Sequence, residues 1–456
     1  MANLKIENFR AIKTAEIEVS DFLVVIGEQA SGKSTISKLI HYFKSLKKDA
    51  VDCLSEHQAD NQKANLETQQ KINIKAQKRF YQLFGSTKNE VFTIKYTYTN
   101  DKTITIKQNL NDKSVNVDIS FYLSDWHDIV KKYSQFLNDF GQSSNGSSLN
   151  SDNIVEVKRK KEREKSEREF SEKINAFFGD TDRRRNYIPA SRSLISSLAS
   201  SSGRRNAIDF FSKTNTDSTF DNDVTKYFDI TVGDFFNEIE RIKEDVLKKK
   251  QLSEIVESAE GAKKNSLQLF YDQLKKILKA DYKLVNEREE LVSNEFAKPI
   301  LLEFASSGQQ EIVWILLCLF VWTNEDYPTS VVIEEPEAHL YPKTQNLVLQ
   351  YISQFFNANK GNQVIINTHS PYLILALNNL LFAHQVNSEQ ITKSTQIGKE
   401  SWLDPKRFGA YIVENGTVRT IFDAGEGLIS ESMLEQEATA INDVFQKISD
   451  FYQPNN

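Results

Sequence analysis

Cysteine and methionine are scarce in this chain of 456 residues, with only two of each. Cys53 and Cys318 stand far apart and lack the spacing of a zinc site or a disulfide framework, so we expect a reducing, cytoplasmic setting. Long apolar runs are lacking as well. The longest, residues 312–322, is about half the length that a membrane span needs. It predicts a buried helix, and we expect no membrane contact.

An excess of positive charge is also lacking. The chain has 57 Lys and Arg against 63 Asp and Glu, which gives a formal net charge of −6. The overall charge therefore does not favour nucleic acid, and any such contact requires a local basic patch. Residues 1–20 alternate charged and apolar side chains without an apolar core, so we expect no secretory signal.

A phosphate-binding loop at residues 27–34 is the most informative motif present. Residues 22–26 predict a buried strand before it, and residues 35–43 predict a helix after it. Glycines let the backbone N–H groups wrap a polyphosphate, a lysine suits the β- and γ-phosphates, and a serine hydroxyl suits Mg²⁺. We predict ATP and Mg²⁺ as cofactors, with Ser34 as a metal ligand. The predicted nucleotide-binding residues are Gly27, Glu28, Gln29, Ala30, Ser31, Gly32, Lys33, Ser34 and Thr35.

A second predicted strand, at residues 330–333, runs directly into Glu334 and Glu335. Ligands of parallel α/β sheets gather at the carboxyl ends of the strands, so this is the layout of a Walker B strand. Successive side chains on a strand point in opposite directions. Glu334 can therefore hold Mg²⁺ while Glu335 orients and deprotonates the attacking water.

Two weaker motifs accompany these. Residues 305–311 form a small-residue turn before the apolar helix, and residues 364–368 predict a buried strand that ends at His369. Each alone says little, because Ser/Gly turns cap many helices and a lone histidine is commonly structural. Their order along the chain, after the phosphate-binding loop and around the acidic strand, makes a four-part constellation.

This constellation resembles the ABC-type ATPases, and more narrowly their SMC/RecF/OLD-like branch, over residues 1–45 and 300–425. Ser306-Ser307-Gly308-Gln309 is similar to the ABC signature turn, with Ser307 in place of the usual first glycine. Residues 334–342 resemble the OLD-like Walker B segment and residues 367–371 its histidine switch. Asn8-Phe9-Arg10 is similar to the element that such ATPases place near the base and ribose.

The resemblance implies ATP sandwiched between two copies of the chain, and hence a homodimer or higher homo-oligomer. Ser306 and Gly308 would contact the γ-phosphate held by the other copy, and Arg10 would lie near the nucleoside. The implied signature contacts to nucleotide are Ser306, Ser307, Gly308 and Gln309, and the implied catalytic residues are Glu335, His369 and Lys33. The glutamine loop is not placed, since several glutamines between residues 77 and 142 qualify, and slow hydrolysis is expected.

The resemblance also bears on what the ATPase controls. OLD nucleases carry a C-terminal TOPRIM domain, whereas only residues 370–456 follow His369 and they contain no Asp-x-Asp pair for two-metal chemistry. We therefore expect an ATPase without nuclease activity of its own, and a separately encoded effector such as a nuclease. This arrangement resembles the ATPase subunits of two-gene anti-phage defence systems of the Septu and PARIS types, with the Septu type preferred.

Arginine is concentrated in the middle of the chain. Residues 158–169 are almost entirely charged, which is typical of a solvated helical face, with an interaction arm as the alternative. The guanidinium groups nearby suit phosphates and carboxylates alike, so nucleic-acid contact and structural ion pairing both stay open. The arginines concerned are Arg183, Arg184, Arg185, Arg192, Arg204 and Arg205.

The predicted fold class is α/β, an ABC-type P-loop ATPase head with a mixed sheet, an antiparallel β layer and a helical insertion. The predicted divisions are the N-terminal part of the head at 1–140, a mostly helical insertion or arm at 141–295, the C-terminal part of the head at 296–425 and a C-terminal helix at 426–456. Three segments, 91–98, 103–108 and 115–122, are expected to form the antiparallel layer.

Two functions of different classes compete. The leading hypothesis is an ATP-driven sensor and scaffold that controls a separate effector in anti-phage defence. The alternative is a DNA-repair or recombination ATPase that binds DNA directly through the arginine-rich middle region. A transporter subunit is disfavoured, because the insertion between Ser34 and Ala305 is far longer than a transporter domain needs.

Overall fold

The computed structural model describes residues 1–55, 62–99, 102–110, 114–119, 172, 175, 178–179, 183–190, 192, 229–293, 298–395 and 397–430. The predicted loop at 141–148, the charged run at 158–169, Arg204 and Arg205, and the predicted C-terminal helix from residue 431 onward lie outside these residues.

Strands and helices alternate along the chain. The strands are β1 (Ala2–Phe9), β2 (Ile12–Val19), β3 (Phe22–Gly27), β4 (Phe92–Thr97), β5 (Thr103–Gln108), β6 (Asn116–Ile119), β7 (Arg184–Ile188), β8 (Asp281–Val285), β9 (Arg288–Val292), β10 (Ile300–Leu301), β11 (Thr329–Glu334), β12 (Gln363–Thr368), β13 (Phe408–Glu414), β14 (Thr417–Thr420), β15 (Phe422–Asp423) and β16 (Leu428–Ile429). The α-helices are α1 (Lys33–Ser55), α2 (Gln62–Phe84), α3 (Ile230–Arg241), α4 (Leu252–Ser258), α5 (Gly261–Leu278), α6 (Ser307–Glu325), α7 (Pro342–Ala358), α8 (Pro371–Val386) and α9 (Glu389–Thr395).

One large mixed sheet organises the described residues, with strand order β6-β5-β4-β1-β2-β14-β13-β3-β12-β11-β7. The strands β13, β3, β12, β11 and β7 run parallel to one another and form its parallel half. Strands β2, β1, β4, β5 and β6 pair antiparallel and form a wing. The predicted mixed α/β fold with its antiparallel layer is confirmed.

The two halves of the sheet follow different sequence patterns. In β3, β11 and β12 every residue is buried, as expected for parallel strands covered by helices on both faces. In β4 buried and partly exposed residues alternate, because one face of the wing packs on the core. The continuous apolar runs are therefore characteristic of β3, β11 and β12 in the parallel half of the sheet.

Helix α6 lies in the centre of the core. Its residues 312–322 are all buried, and Trp314 and Trp322 are among the largest fully buried side chains. The prediction of a buried helix here is confirmed. No helix within the described ranges is long and apolar enough to cross a membrane.

Part of the predicted insertion belongs to the body of the head. Strand β7 pairs in parallel with β11 in the main sheet. Phe235 of α3 and Phe270 of α5 belong to the same buried cluster as Trp314 of α6. The boundaries at 141 and 295 stay predictions, but the described segment from α3 to β9 packs on the head instead of projecting from it.

Candidate nucleotide-binding site

The phosphate-binding loop lies between β3 and α1, at the carboxyl end of a central parallel strand. Lys33 begins α1, and its Nζ donates hydrogen bonds to the carbonyl oxygens of Gly27 at 2.7 Å and Glu28 at 2.6 Å. Burial lowers the pKa of Lys33, and the nearby carboxylates of Glu335, Glu337 and Glu334 oppose that shift. The ammonium group is therefore held inside the loop, where carboxylates surround it.

Gly32 has a conformation that only glycine adopts without strain. Its φ is 108°, and a Cβ there would lie 2.5 Å from Cδ1 of Ile12. Glu28, Gln29 and Ala30 are exposed, and Ala30 also has a positive φ of 62°. The tip of the loop therefore lies at the surface, next to the N-terminus of α1.

Glu334 ends β11 and is held by hydrogen bonds. Its carboxylate accepts from the Tyr187 hydroxyl at 2.8 Å and from the Ala190 backbone N–H at 3.2 Å. Burial, and next the charge of Glu334, raise the pKa of Tyr187 well above its usual value, so the phenol stays a donor. Asn367 donates to Ser37 Oγ at 2.6 Å, and that hydroxyl lies 3.4 Å from the Tyr187 oxygen. This network fixes the carboxylate relative to α1 and β12.

Glu335 has a strained backbone with a φ of 44°. Such left-handed geometry costs a non-glycine residue about 1–3 kcal/mol and is often found at functional sites. Its N–H donates to the carbonyl of Asn367 at 2.8 Å, and its side chain is 34% exposed. The Glu335 carboxylate thus lies just beyond the end of β11 and is accessible to water.

His369 follows β12 and is half-exposed. Its Nδ1 lies 3.8 Å from Glu335 Oε1 and 3.5 Å from Glu337 Oε1. The buried Glu337 carboxylate accepts from the Thr368 hydroxyl at 2.6 Å and from the His369 N–H at 3.0 Å. Glu337 therefore positions the backbone that carries the histidine, a function that the sequence did not indicate.

Arg192 joins the acidic strand to the signature helix. It is fully buried, and it donates to the carbonyls of Glu334 at 2.5 Å, Glu335 at 2.8 Å and Glu311 at 2.9 Å. Its Nε also lies 3.3 Å from the Glu311 carboxylate in α6. Burial lowers the pKa of Arg192, while Glu311 and the site carboxylates oppose this shift. Of the two interpretations left open for this arginine, the structure shows ion pairing.

We expect Arg192→Met to destabilise the protein by about 3–5 kcal/mol, because it removes the buried guanidinium group that pairs with Glu311 and donates to the carbonyls of Glu311, Pro189, Glu334 and Glu335. Denaturant unfolding of the variant checks this. Arg192→Met with Glu311→Leu removes both charges and should recover part of the loss. Equal stability of wild type and the single variant would contradict the assigned position of Arg192.

The signature turn caps α6. Ser306 accepts from the Gln309 N–H at 3.4 Å, and the Gln309 side chain accepts from the Ser306 N–H at 3.2 Å, which completes a capping box. Gln309 also donates to the Leu278 carbonyl at 2.8 Å. A Cβ on Gly308 would lie 2.8 Å from the His339 carbonyl, so the turn packs directly on the loop after β11.

The proposed magnesium ligands have suitable chemistry and placement. Mg²⁺ usually takes one or two protein oxygens, with water and substrate phosphates as the rest. Ser34 is exposed on the first turn of α1, and each Glu334 oxygen accepts one hydrogen bond and keeps a lone pair. No group of three acidic, histidine or cysteine side chains within the described ranges could hold a metal unaided. The residues therefore fit Mg²⁺ that arrives with a nucleotide.

Three of the arginines that the sequence suggested for ligand contacts, Arg10, Arg183 and Arg184, form hydrogen bonds or ion pairs with other protein groups. Arg10 donates to the Glu90 carboxylate at 2.6 Å and to the carbonyls of Phe84 and Ser86 at the end of α2. Arg183 lies 3.5 Å from Asp21, and Arg184 pairs with Glu325. Arg204 and Arg205 lie outside the described residues.

Residues 1–374 match the family described as AAA ATPase domain, AAA_15. Similar solved structures include an Smc head domain with an extended coiled coil bound to the C-terminal domain of ScpA from Pyrococcus furiosus, at 14% identity, covering 97% of this chain and 100% of that chain, with a TM-score of 0.36. The SMC head domain from Thermotoga maritima has 10% identity, 92% and 97% coverage and a TM-score of 0.33. The recombination mediator RecF with ATPrS has 11% identity, 92% and 97% coverage and a TM-score of 0.32. Curated proteins gave no match.

Proposed function

The chain belongs to the AAA ATPase domain family, and from this premise we propose that it binds ATP with Mg²⁺ and hydrolyses it at the edge where β3, β11 and β12 end. One observation carries the proposal. Lys33, Glu335 and His369 come from separate parts of the chain and meet at the carboxyl ends of these adjacent parallel strands. A carboxylate that contacts a histidine, beside a lysine loop suited to phosphates, matches phosphoryl-transfer chemistry.

Each residue then has a distinct task in the proposed reaction. The Gly27–Ser34 loop and Lys33 bind and orient the phosphates. Ser34 and Glu334 would hold Mg²⁺, which would supply positive charge to the phosphate oxygens. Glu335 orients the attacking water and accepts its proton, and His369 donates a hydrogen bond toward the γ-phosphate.

The purified chain should release phosphate from ATP only when a divalent cation is present. The absence of phosphate release with ATP and the cation would contradict the proposal.

We further propose that two copies close on ATP, with the signature turn of one facing the phosphate-binding loop of the other. Helix α6 begins at the signature turn, and the positive end of a helix dipole is suited to an anion. Exposed aromatic side chains flank three motifs of the site: Phe304 before the signature turn is 75% exposed, Tyr341 after Walker B 76% and Tyr372 after His369 54%. Such rings are typical anchors of protein interfaces.

We expect Ser306→Arg to prevent ATP-dependent dimer formation while each protomer still binds nucleotide, because the bulky cation occupies the turn that would face the γ-phosphate. Sedimentation velocity with Glu335→Gln and ATP measures the dimer. Ser306→Ala is the matched control, since it removes the cap at a cost of about 1 kcal/mol but adds no bulk. Dimerisation of the Arg variant at the wild-type ATP concentration would refute the sandwich.

The finer function we propose is control of a separate effector, such as a nuclease, in anti-phage defence. The support is the resemblance of residues 334–342 and 367–371 to the OLD-like motifs. A tagged chain purified from its native host should carry a stoichiometric second protein identifiable by mass spectrometry. Purification of the chain alone, together with salt-sensitive DNA binding, would favour a DNA-repair ATPase instead.

A further inference from the structure

A second cavity lies on the head, away from the phosphate-binding loop. Its volume is about 700 Å³, and it is lined by the middle of α1 from His41 to Lys48, by Arg79 of α2, by the start of β7 and by α3. Helix α1 rises about 1.5 Å per residue, so Lys48 on this cavity is roughly 20 Å from Lys33. Tyr327, just before β11, also lines the cavity and is 41% exposed.

One wall of the cavity is a network of paired charges. Arg184 and Arg241 both contact the Glu325 carboxylate, and Arg241 also donates to Glu238 at 2.7 Å. Trp322 donates to Glu238 at 2.7 Å as well. These contacts hold the guanidinium groups of this wall in fixed positions.

The remaining walls are cationic. Lys47, Lys48 and Arg79 line the cavity from α1 and α2, and Arg183 and Arg185 line it from β7 and the residue before it. Arg79 makes a bidentate pair with Asp49, at 2.6 and 2.8 Å, which fixes its plane. The lining contains seven Lys and Arg side chains and two acidic ones, Asp234 and Glu238. Three further carboxylates outside the lining, Asp21, Asp49 and Glu325, pair with Arg183, Arg79 and Arg184, so positive charge still predominates.

Two titratable groups that line the cavity, His41 and Asp234, have pKa values shifted mainly by burial. Burial, and next the charges of Arg79 and Arg185, lower the pKa of His41 to about 3, so its ring stays neutral. Burial raises the pKa of Asp234, which favours its uncharged form. The Asn186 amide nitrogen is shielded from solvent and makes no hydrogen bond to any described residue. Other atoms of Asn186 line the cavity.

We propose that this cavity is a second anion site that binds a small molecule with two or more phosphate groups. Ligand pockets measure about 300–1,000 Å³, and guanidinium forks bind phosphate oxygens in pairs. The cavity is a partly open pocket between four elements, of a size that suits a compact ligand, whereas a nucleic-acid strand needs a groove along which its backbone can run. The ring of Tyr327 at the cavity offers a planar surface for an attached base. The site is separate from the proposed ATP site and does not depend on it.

Tripolyphosphate is the probe, measured by isothermal titration calorimetry on full-length Lys33→Ala so that the phosphate-binding loop contributes little. We expect one saturable site per chain. Lys48→Ala with Arg185→Ala, added to this background, should weaken binding at least about tenfold, since charged hydrogen bonds are lost. The charge-matched control is Lys249→Ala with Lys275→Ala, which removes two surface lysines outside the cavity and should leave binding unchanged. Melting temperatures confirm that all variants fold.

Three results would overturn the proposal. One is the absence of tripolyphosphate binding to Lys33→Ala when wild type binds it. Another is equal weakening by the cavity pair and by the Lys249/Lys275 control, which indicates nonspecific attraction. The third is binding that tightens steadily with oligonucleotide length, which indicates an open nucleic-acid surface instead of a pocket.

Discussion

Glu335→Gln should retain ATP and lose its hydrolysis, with turnover lower by about 10²–10⁴-fold, the usual contribution of a positioned general base. The amide keeps the size of the carboxylate and leaves the backbone hydrogen bond to Asn367 in place. It cannot accept the proton of the attacking water. The variant should therefore accumulate in the ATP-bound, closed state.

Phosphate release and bound nucleotide, measured on the same preparation, separate chemistry from binding. Glu303→Gln is the control, since this exposed carboxylate before the signature turn carries the same charge without contacting the site. Turnover of Glu335→Gln equal to wild type would show that another group is the base. Loss of bound ATP instead of turnover would assign Glu335 to binding.

Lys33→Ala should weaken ATP binding by about a hundredfold or more. Hydrogen bonds to charged groups contribute about 1.5–3 kcal/mol each, and the lysine is placed to contact two phosphates. Because its ammonium group is already buried and bonded to the carbonyls of Gly27 and Glu28, little further ordering is needed when phosphate enters. Equilibrium binding of a fluorescent ATP analogue measures the effect.

The matched control is Lys38→Ala on the same helix. Lys38 pairs with Asp229 at 2.5 Å, away from the loop, so its loss should leave nucleotide affinity close to wild type. Melting curves of both variants are needed, because Lys33→Ala also loses the hydrogen bonds from Lys33 to the carbonyls of Gly27 and Glu28 in the loop. Wild-type nucleotide occupancy in a folded Lys33→Ala protein would refute the assignment of the loop.

The sequence predicted those parts of the site that have local patterns. Continuous apolar runs indicated β3, β11 and β12. The segments that follow these three strands carry Lys33, Glu335 and His369, which lie at the same edge of the sheet. The turn at Ser306 was visible because capping uses a short, fixed set of residue types. Local rules therefore found the positions of Lys33, Glu335 and His369.

Sequence patterns did not reveal what supports these residues. Strand β7 is short and begins with two arginines, so it lacks the apolar run of its neighbours, and its partner β11 lies some 140 residues further along the chain. Tyr187 and Arg192 take their functions from that pairing, through bonds to Glu334 and Glu335. Only Tyr187 and Ile188, two residue types that are common in strands, hint at one. Such contacts depend on tertiary structure, which no spacing rule specifies.

The order of the sheet has a consequence for synthesis on the ribosome. Strand β3 carries the phosphate-binding loop near the start of the chain, yet its two neighbours are β12 and β13. The loop therefore emerges some 340 residues before the first of the strands that flank it. Pairings this distant form slowly and leave strand edges exposed meanwhile. A nascent chain interrupted before β13 contains the whole phosphate-binding sequence but lacks one of the two strands that flank β3, so we expect stable nucleotide binding only after β13 has been synthesised.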